Sequence, residues 1–170
     1  MNAFPPTTDL CDAHEKRFDT GELQVLAPGL LSFGARGRFH GAASTIRLFE
    51  DNSLLAQAVR EAGDGRVLVV DAGGSTRCAV LGGNLARAAA DNGWSGVIVF
   101  GAVRDVGEID GCAIGVRALA VTPRRSVKRG EGQRDVVVVV GGARVRPGDW
   151  IYADRDGVLV SSQALHDPVA

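Results

Sequence analysis

Residues 71–110 read DAGGSTRCAVLGGNLARAAADNGWSGVIVFGAVRDVGEID, and the fold is decided there. The stretch begins where an apolar run, Val67-Leu68-Val69-Val70, ends, and it carries two glycine clusters. The second cluster, Gly82-Gly83, stands before Asn84 and a short alanine-rich segment of helical character. A second apolar run, Gly96 to Phe100, then leads to Gly101-Ala102-Val103-Arg104-Asp105. Strand, glycine loop, helix and strand at this spacing predict a βαβ-like crossover and a parallel pair of strands. Val67–Val70 is uniformly apolar, as a strand buried on both faces should be. The predicted helix covers about 84–92 and ends at Gly93, and Ser75–Leu81 reads as extended.

Working outward, Asn52 or Ser53 caps a predicted helix over about 53–62. Leu54, Leu55, Ala58 and Val59 share one of its faces, and Gly63 stands where a left-handed C-terminal residue is wanted. Upstream, Ala43–Leu48 and Leu23–Leu26 read as strands. Thr8 reads as the N-cap of a helix over about 8–17. Residues 1–6 read as an extended lead-in. Downstream, Val116–Val121 reads as a strand, and Pro123–Arg129 as a basic, solvated, mobile loop with no interleaved aromatic residue to stack on a base. The last third is β-rich, with strands at Val136–Val140, Arg144–Arg146, Trp150–Ala153 and Val158–Ser161. Asp154-Arg155-Asp156-Gly157 makes the final hairpin turn. The tail from Gln163 reads as frayed. No repeat or linker divides the chain, so 1–170 is one α/β domain.

Composition agrees. A chain of 170 residues with net charge −1 gives no electrostatic reason to expect nucleic acid or an anionic membrane as partner. No run approaches the ~20 apolar residues of a membrane span, and the N-terminus lacks the marks of a signal peptide. Cys11, Cys78 and Cys112 are odd in number and form no CxxC pair, which suits a reduced, cytoplasmic protein with cysteines acting as small hydrophobes. The three histidines are equally scattered, so a His/Cys zinc site is not expected.

Two features carry chemistry. Gly82-Gly83 before a helix permits close backbone approach and presents unpaired N–H groups at a positive dipole end, where a carboxylate or phosphate fits; a plain turn is the simpler alternative. No Walker loop follows, and the G-x-G-x-x-G spacing is absent. Arg104-Asp105 at a strand end reads either as surface charge or as an anion-plus-metal site, with Arg holding a carboxylate and Asp a divalent cation.

The stretch 71–110, together with Thr8-Asp9-Leu10-Cys11-Asp12 and Gly148-Asp149-Trp150-Ile151-Tyr152-Ala153-Asp154, resembles the RraA-like family over about residues 7–161. That family holds both regulators of ribonuclease E activity and metal-dependent 4-hydroxy-4-methyl-2-oxoglutarate aldolases. The resemblance implies a single-domain β/β/α sandwich of the swivelling-domain type, a ring-shaped homotrimer and an active site in a cleft between subunits. It implies that the backbone of Gly82, Gly83, Asn84 and Leu85 binds a substrate carboxylate. Arg104 would hold the 2-keto acid and its enolate, and Asp105 would ligate Mg²⁺ or Mn²⁺. Many aldolases of the family carry an acid at the position of Gly83; Glu108 and then Asp110 are the candidates to replace it. The reaction implied is retro-aldol cleavage to two pyruvates, with oxaloacetate decarboxylation by the same chemistry. The central stretch has no lysine for a Schiff base. The alternative is a non-catalytic regulator that binds ribonuclease E or an RNA helicase. A methyltransferase label borne by some relatives is not expected to apply, because no glycine-rich methyl-donor motif is present.

Overall fold

The computed structural model describes residues 4–166. The chain opens with two short helices, α1 (Thr7–Ala13) and α2 (Lys16–Asp19), followed by strands β1 (Leu23–Val25), β2 (Leu31–Phe33) and β3 (Phe39–Arg47). Helix α3 (Ser53–Ala58), β4 (Val67–Asp71), β5 (Ala79–Leu81), α4 (Gly83–Asp91) and β6 (Gly96–Val103) make up the centre. After α5 (Val106–Asp110) come β7 (Gly115–Val121), β8 (Gln133–Arg134), β9 (Val138–Val140), β10 (Ala143–Val145), β11 (Trp150–Ala153) and β12 (Val158–Ser161).

The main sheet runs β1-β12-β11-β3-β4-β6-β7-β2, with β5 added beside β6 and β8 beside β3. Its heart, β3-β4-β6-β7, is parallel, with Leu68 opposite Val97 and Val70 opposite Val99. The crossover expected from residues 67–103 is therefore present. Val67 to Val70 are all fully buried, and the pleat divides them between two cores. Leu68 and Val70 face a layer made by α3, α4 and α5 through Leu55, Ala86, Ala89 and Ile109. Val67 and Val69 face a β layer through Val138, Val145, Ile151 and Val160. Helices, parallel sheet and second β layer make the β/β/α sandwich. A pair of glycines fixes part of that packing: Gly96 and Gly115 are in register on β6 and β7, and a Cβ on either would strike the Phe39 ring.

Several boundaries differ from the sequence reading. The helix expected over 8–17 is broken into α1 and α2, and Thr8 is not its cap. Pro6 holds that position, while the Thr7 N–H and hydroxyl both donate to Asp154, at 2.8 and 2.7 Å. Helix α3 stops at Ala58, and Gly63 is not left-handed; Asp64 and Gly65 are. Gly63 is small because a Cβ there would strike the backbone of Trp94. The extended segment of 75–81 is only β5. Helix α4 begins at Gly83, one residue before the expected start, with Gly82 as its N-cap. Strand β3 is longer than expected, and β2, β8 and α5 were not anticipated. The Val136–Arg146 region forms a separate two-stranded ribbon turned by left-handed Gly141 and Gly142.

The basic segment 123–129 is pinned rather than loose. Arg129 and Glu131 N–H groups donate to Asp51 Oδ2, and Ser126 N–H donates to Ala79 O. The tail is also held as far as it is described, with Leu165 N–H donating to Tyr152 Oη at 2.7 Å and His166 Nδ1 2.7 Å from the same oxygen. The lead-in buries Phe4 ahead of the exposed Pro5 and Pro6; its first three residues lie outside the described part, as do residues 167–170 of the tail. Cys78 and Cys112 are buried, Cys11 half-buried, and all three are free. No helix among the described residues is long and apolar enough to cross a membrane.

Candidate functional site

Strands β5 and β6 run side by side and end together, with Leu81 opposite Val103. Each continues into a helix, so two helix-opening turns lie against one another. The Arg104 N–H donates to Leu81 O at 3.0 Å and locks the two turns in register. Gly82 caps α4 on one side, and Asp105 caps α5 on the other.

Asp105 takes the left-handed conformation, φ 56° and ψ 43°. An L residue other than Asn or Asp pays heavily for this, and even Asp is strained by roughly 1 kcal/mol. No side-chain capping bond offsets the strain. Asp105 Oδ2 instead lies 3.4 Å from the Gly83 N–H and 3.5 Å from Arg104 Nε, both long contacts. Its side chain is 41% exposed and that of Arg104 38%, so this pairing contributes little to stability. The carboxylate is available. Gly82 makes room for it, since a Cβ there would stand 2.7 Å from Asp105 Oδ2 and 3.4 Å from Arg104 Cγ.

In helix α4 the first intrahelical bond from outside the opening turn is Ala86 N–H to Gly82 O. The N–H groups of Gly83, Asn84 and Leu85 precede it and have no partner within the helix. They form the positive end of a nine-residue helix. Gly82, Gly83, Asn84, Leu85, Arg104 and Asp105 are thus brought together as expected.

The two acids proposed to replace a side chain at Gly83 separate clearly. Asp110 Oδ1 accepts the Gly34 N–H at 2.9 Å and ties α5 to the turn after β2, so it does not join the site. Glu108 does. A Cβ added at Gly83 would stand 2.5 Å from Glu108 Cβ and closer still to Oε2. The Glu108 carboxylate occupies the space that a side chain at 83 would fill. What the sequence reading missed was α5, the short helix that folds Glu108 back over α4; the Asp105-x-x-Glu108 spacing of a capping box was the available signal.

Among the described residues no group of three or more His, Cys, Asp or Glu side chains could enclose a metal. Two exposed carboxylates, Asp105 and Glu108, border Gly83. Hard oxygen donors in this small number suit Mg²⁺ or Mn²⁺, which keep several waters and take one or two carboxylates plus substrate. The donor set fits such a cation.

The chain matches known proteins over nearly its whole length. A family model described as RraA-like, Aldolase/RraA, matches residues 7–160. A protein of Cupriavidus necator H16, provisionally named 4-hydroxy-4-methyl-2-oxoglutarate aldolase, is 56% identical over 95% of this chain and 98% of its own length. A Burkholderia multivorans protein of the same name is 56% identical over 94% of this chain and 97% of its own. Among solved structures, the RNA-processing inhibitor RraA from Thermus thermophilis superposes with a TM-score of 0.87 at 46% identity, covering 100% of this chain and 97% of that one. A Geobacillus kaustophilus HTA426 protein described as an S-adenosylmethionine:2-dimethylmenaquinone methyltransferase superposes with a TM-score of 0.89 at 43% identity, covering 95% and 97%.

Proposed function

The chain belongs to the RraA-like family, and from that premise we propose that it is a carbon–carbon lyase. It cleaves 4-hydroxy-4-methyl-2-oxoglutarate into two molecules of pyruvate and decarboxylates oxaloacetate by the same chemistry. The observation that carries the reading is the junction of Gly82-Gly83 with Arg104-Asp105. The opening N–H groups of α4, a guanidinium and an underused carboxylate share one mouth there.

The 2-keto acid carboxylate binds at the N–H groups of Gly83, Asn84 and Leu85, where the α4 dipole favours negative charge. Arg104 lies on the other side of Gly82 and holds the keto oxygen, so its guanidinium meets the charge that develops there. In the retro-aldol step the C3–C4 bond breaks, its electron pair forms the enolate of one pyruvate, and the C4 hydroxyl gives up its proton to become the second carbonyl. Protonation of the enolate carbon completes the balance. Glu108, standing in the space over Gly83, is the group placed to take the hydroxyl proton. Asp105, with Glu108 beside it, would hold Mg²⁺ or Mn²⁺, which when bound supplies Lewis acidity toward the keto acid.

The decisive experiment measures pyruvate release from both substrates with Mg²⁺, with chelator, and with Asp105→Ala. Turnover abolished by both controls supports a metal-dependent lyase. A loss of only a few-fold in Arg104→Ala would count heavily against the mechanism.

A second reading has the likeness to the Thermus inhibitor behind it. In that reading the protein, as a cytoplasmic ring-shaped homotrimer, binds and inhibits a ribonuclease E-type partner. A ribonuclease assay with the purified chain and with Asp105→Ala separates the two readings, since inhibition by protein contact has no need of that carboxylate.

A further inference from the structure

A second cavity lies at the other end of the parallel strands, at the starts of β3, β4 and β6. It is flanked by His40, Arg66 and Ser95 and encloses about 630 Å³, well within the range of small-molecule sites. The candidate lyase site is at the opposite end of β6, eight residues away along the strand, or about 25 Å. The two do not share a residue.

The wall of this cavity combines aromatic faces with guanidinium groups that make no ion pair among the described residues. His40 and Trp150 both line it, with rings 6.4 Å apart and inclined by 24°. Tyr152, fully buried and not itself lining the cavity, completes the ladder at 5.9 Å from His40 and 6.3 Å from Trp150. Arg66 lies 4.9 Å over Trp94, and its Nε and Nη2 donate to Gly63 O and Ala62 O, leaving other N–H groups free. Arg38 stacks 4.3 Å over Phe4 and donates to the Phe4 carbonyl. Arg36 makes no side-chain hydrogen bond or ion pair among the described residues. Against these three fixed charges the described residues of the cavity wall offer one carboxylate, Asp64. Burial first, then the neighbouring His166 and Arg38, lower the His40 pKa, so the aromatic ladder itself is neutral at pH 7.

We propose that this cavity binds a planar aromatic carboxylate. The ring would lie against the neutral ladder, and the carboxylate would be gripped by the guanidinium forks. Two arginines are already oriented by aromatic faces and backbone carbonyls, so little side-chain entropy remains to be lost on binding. A carboxylate matches the fork bidentately. The wall holds no helix N-terminus or lysine that would favour a phosphate over it.

Both tryptophans of the chain, Trp94 and Trp150, are in this wall, so intrinsic fluorescence reports on it directly. The full-length protein is titrated with benzoate and with phthalate, with neutral benzamide as control, and each titration is repeated by calorimetry. Saturable quenching with measurable heat is expected for the two acids, and binding about tenfold weaker or worse for benzamide, the scale for losing a charge-assisted contact. Arg36→Gln, which breaks no side-chain bond among the described residues, should weaken benzoate by a similar factor, and Arg66→Gln, which also gives up its bonds to Gly63 O and Ala62 O, should do likewise when measured well below its unfolding temperature. Asp105→Ala should leave benzoate binding intact, which keeps this result separate from the lyase reading. Linear, heatless quenching overturns the proposal. So does equal binding of benzamide, or a loss of binding confined to Asp105→Ala. If Trp150, the more exposed of the two tryptophans, neither responds nor is reached by acrylamide, a second copy of the chain covers the cavity, and the proposal is equally overturned.

Discussion

Two aspartates beyond the ends of parallel strands of one sheet illustrate how differently one side chain can be used. Asp51 follows β3 and is 1% exposed. Its oxygens accept N–H groups from Ser53, Arg129 and Glu131, at 2.8, 2.7 and 3.2 Å. Burial alone would raise its pKa, but the hydrogen bonds from Ser53, Glu131 and Arg129 outweigh it and lower the pKa from 3.8 to about 2. Asp105 follows β6, sits in a left-handed conformation, and has only long contacts. A carboxylate whose acceptor sites are filled by backbone donors holds a loop in place. One that is strained, exposed and underbonded is held by the fold for something else.

The sharpest way to break this contrast is to make the same change at both places. Asp105→Asn keeps a side chain that tolerates the left-handed region but removes the charge. Pyruvate release should fall on the order of 10²–10³-fold, with the unfolding temperature within about a degree of the parent. Asp51→Asn should do the reverse. The depressed pKa corresponds to about 2 kcal/mol of stability, and for a chain of this size its loss lowers the unfolding midpoint by about 4–8 °C, while turnover of the folded enzyme persists. The sign with pH follows. Because the folded pKa lies below the unfolded one, the contribution is complete above about pH 4 and is lost as pH falls toward 2. Acid unfolding of the parent should therefore be steeper than that of Asp51→Asn across that window. If Asp105→Asn is the less stable of the pair, the contrast is wrong.

A smaller effect tests the acid over Gly83. Glu108→Gln should lower turnover by about 100-fold, the low end of the range for a positioned acid or base. Gly83→Asp alone should be poorly active, because its side chain competes with Glu108 for one space. Gly83→Asp combined with Glu108→Ala should recover activity relative to Glu108→Ala. An additive loss in the double variant would show that the two positions are not interchangeable sources of one carboxylate.

How much of this was legible follows from what each signal depends on. The parallel core was readable because Val67–Val70 and Gly96–Phe100 are apolar without alternation, which reports burial on both faces. Gly82-Gly83 and Arg104-Asp105 were readable because helix starts and strand ends concentrate such residues. Their mutual contact was not readable from spacing, since it depends on β5 joining the sheet beside β6, a three-residue strand with little periodicity of its own. The pinned basic loop was illegible for a similar reason. Its anchor, Asp51, is far away in sequence, and the bonds run through backbone N–H groups that no residue type advertises. The slot that admits Phe39 depends on two glycines nineteen positions apart, whose meaning appears only once β6 and β7 are in register.

The smallest expected effect probes the strain itself. Asp105→Gly removes the left-handed penalty of about 1 kcal/mol. It also adds backbone entropy to the unfolded chain, worth up to about 1 kcal/mol in the opposite direction. The two nearly cancel, and no capping bond is lost because none exists, so the stability of Asp105→Gly should lie within about 1 kcal/mol of the parent. Asp51→Gly has no strain to relieve, since the left-handed residue in that turn is Glu50. It gives up the bonds to Ser53, Arg129 and Glu131 as well as adding unfolded-state entropy, so its cost should exceed the roughly 2 kcal/mol predicted for Asp51→Asn. Denaturant unfolding of the two glycine variants side by side measures that gap. A gap near zero would mean that Asp105 stabilises the fold through contacts as strong as those of Asp51, and its strained conformation would then need no functional explanation.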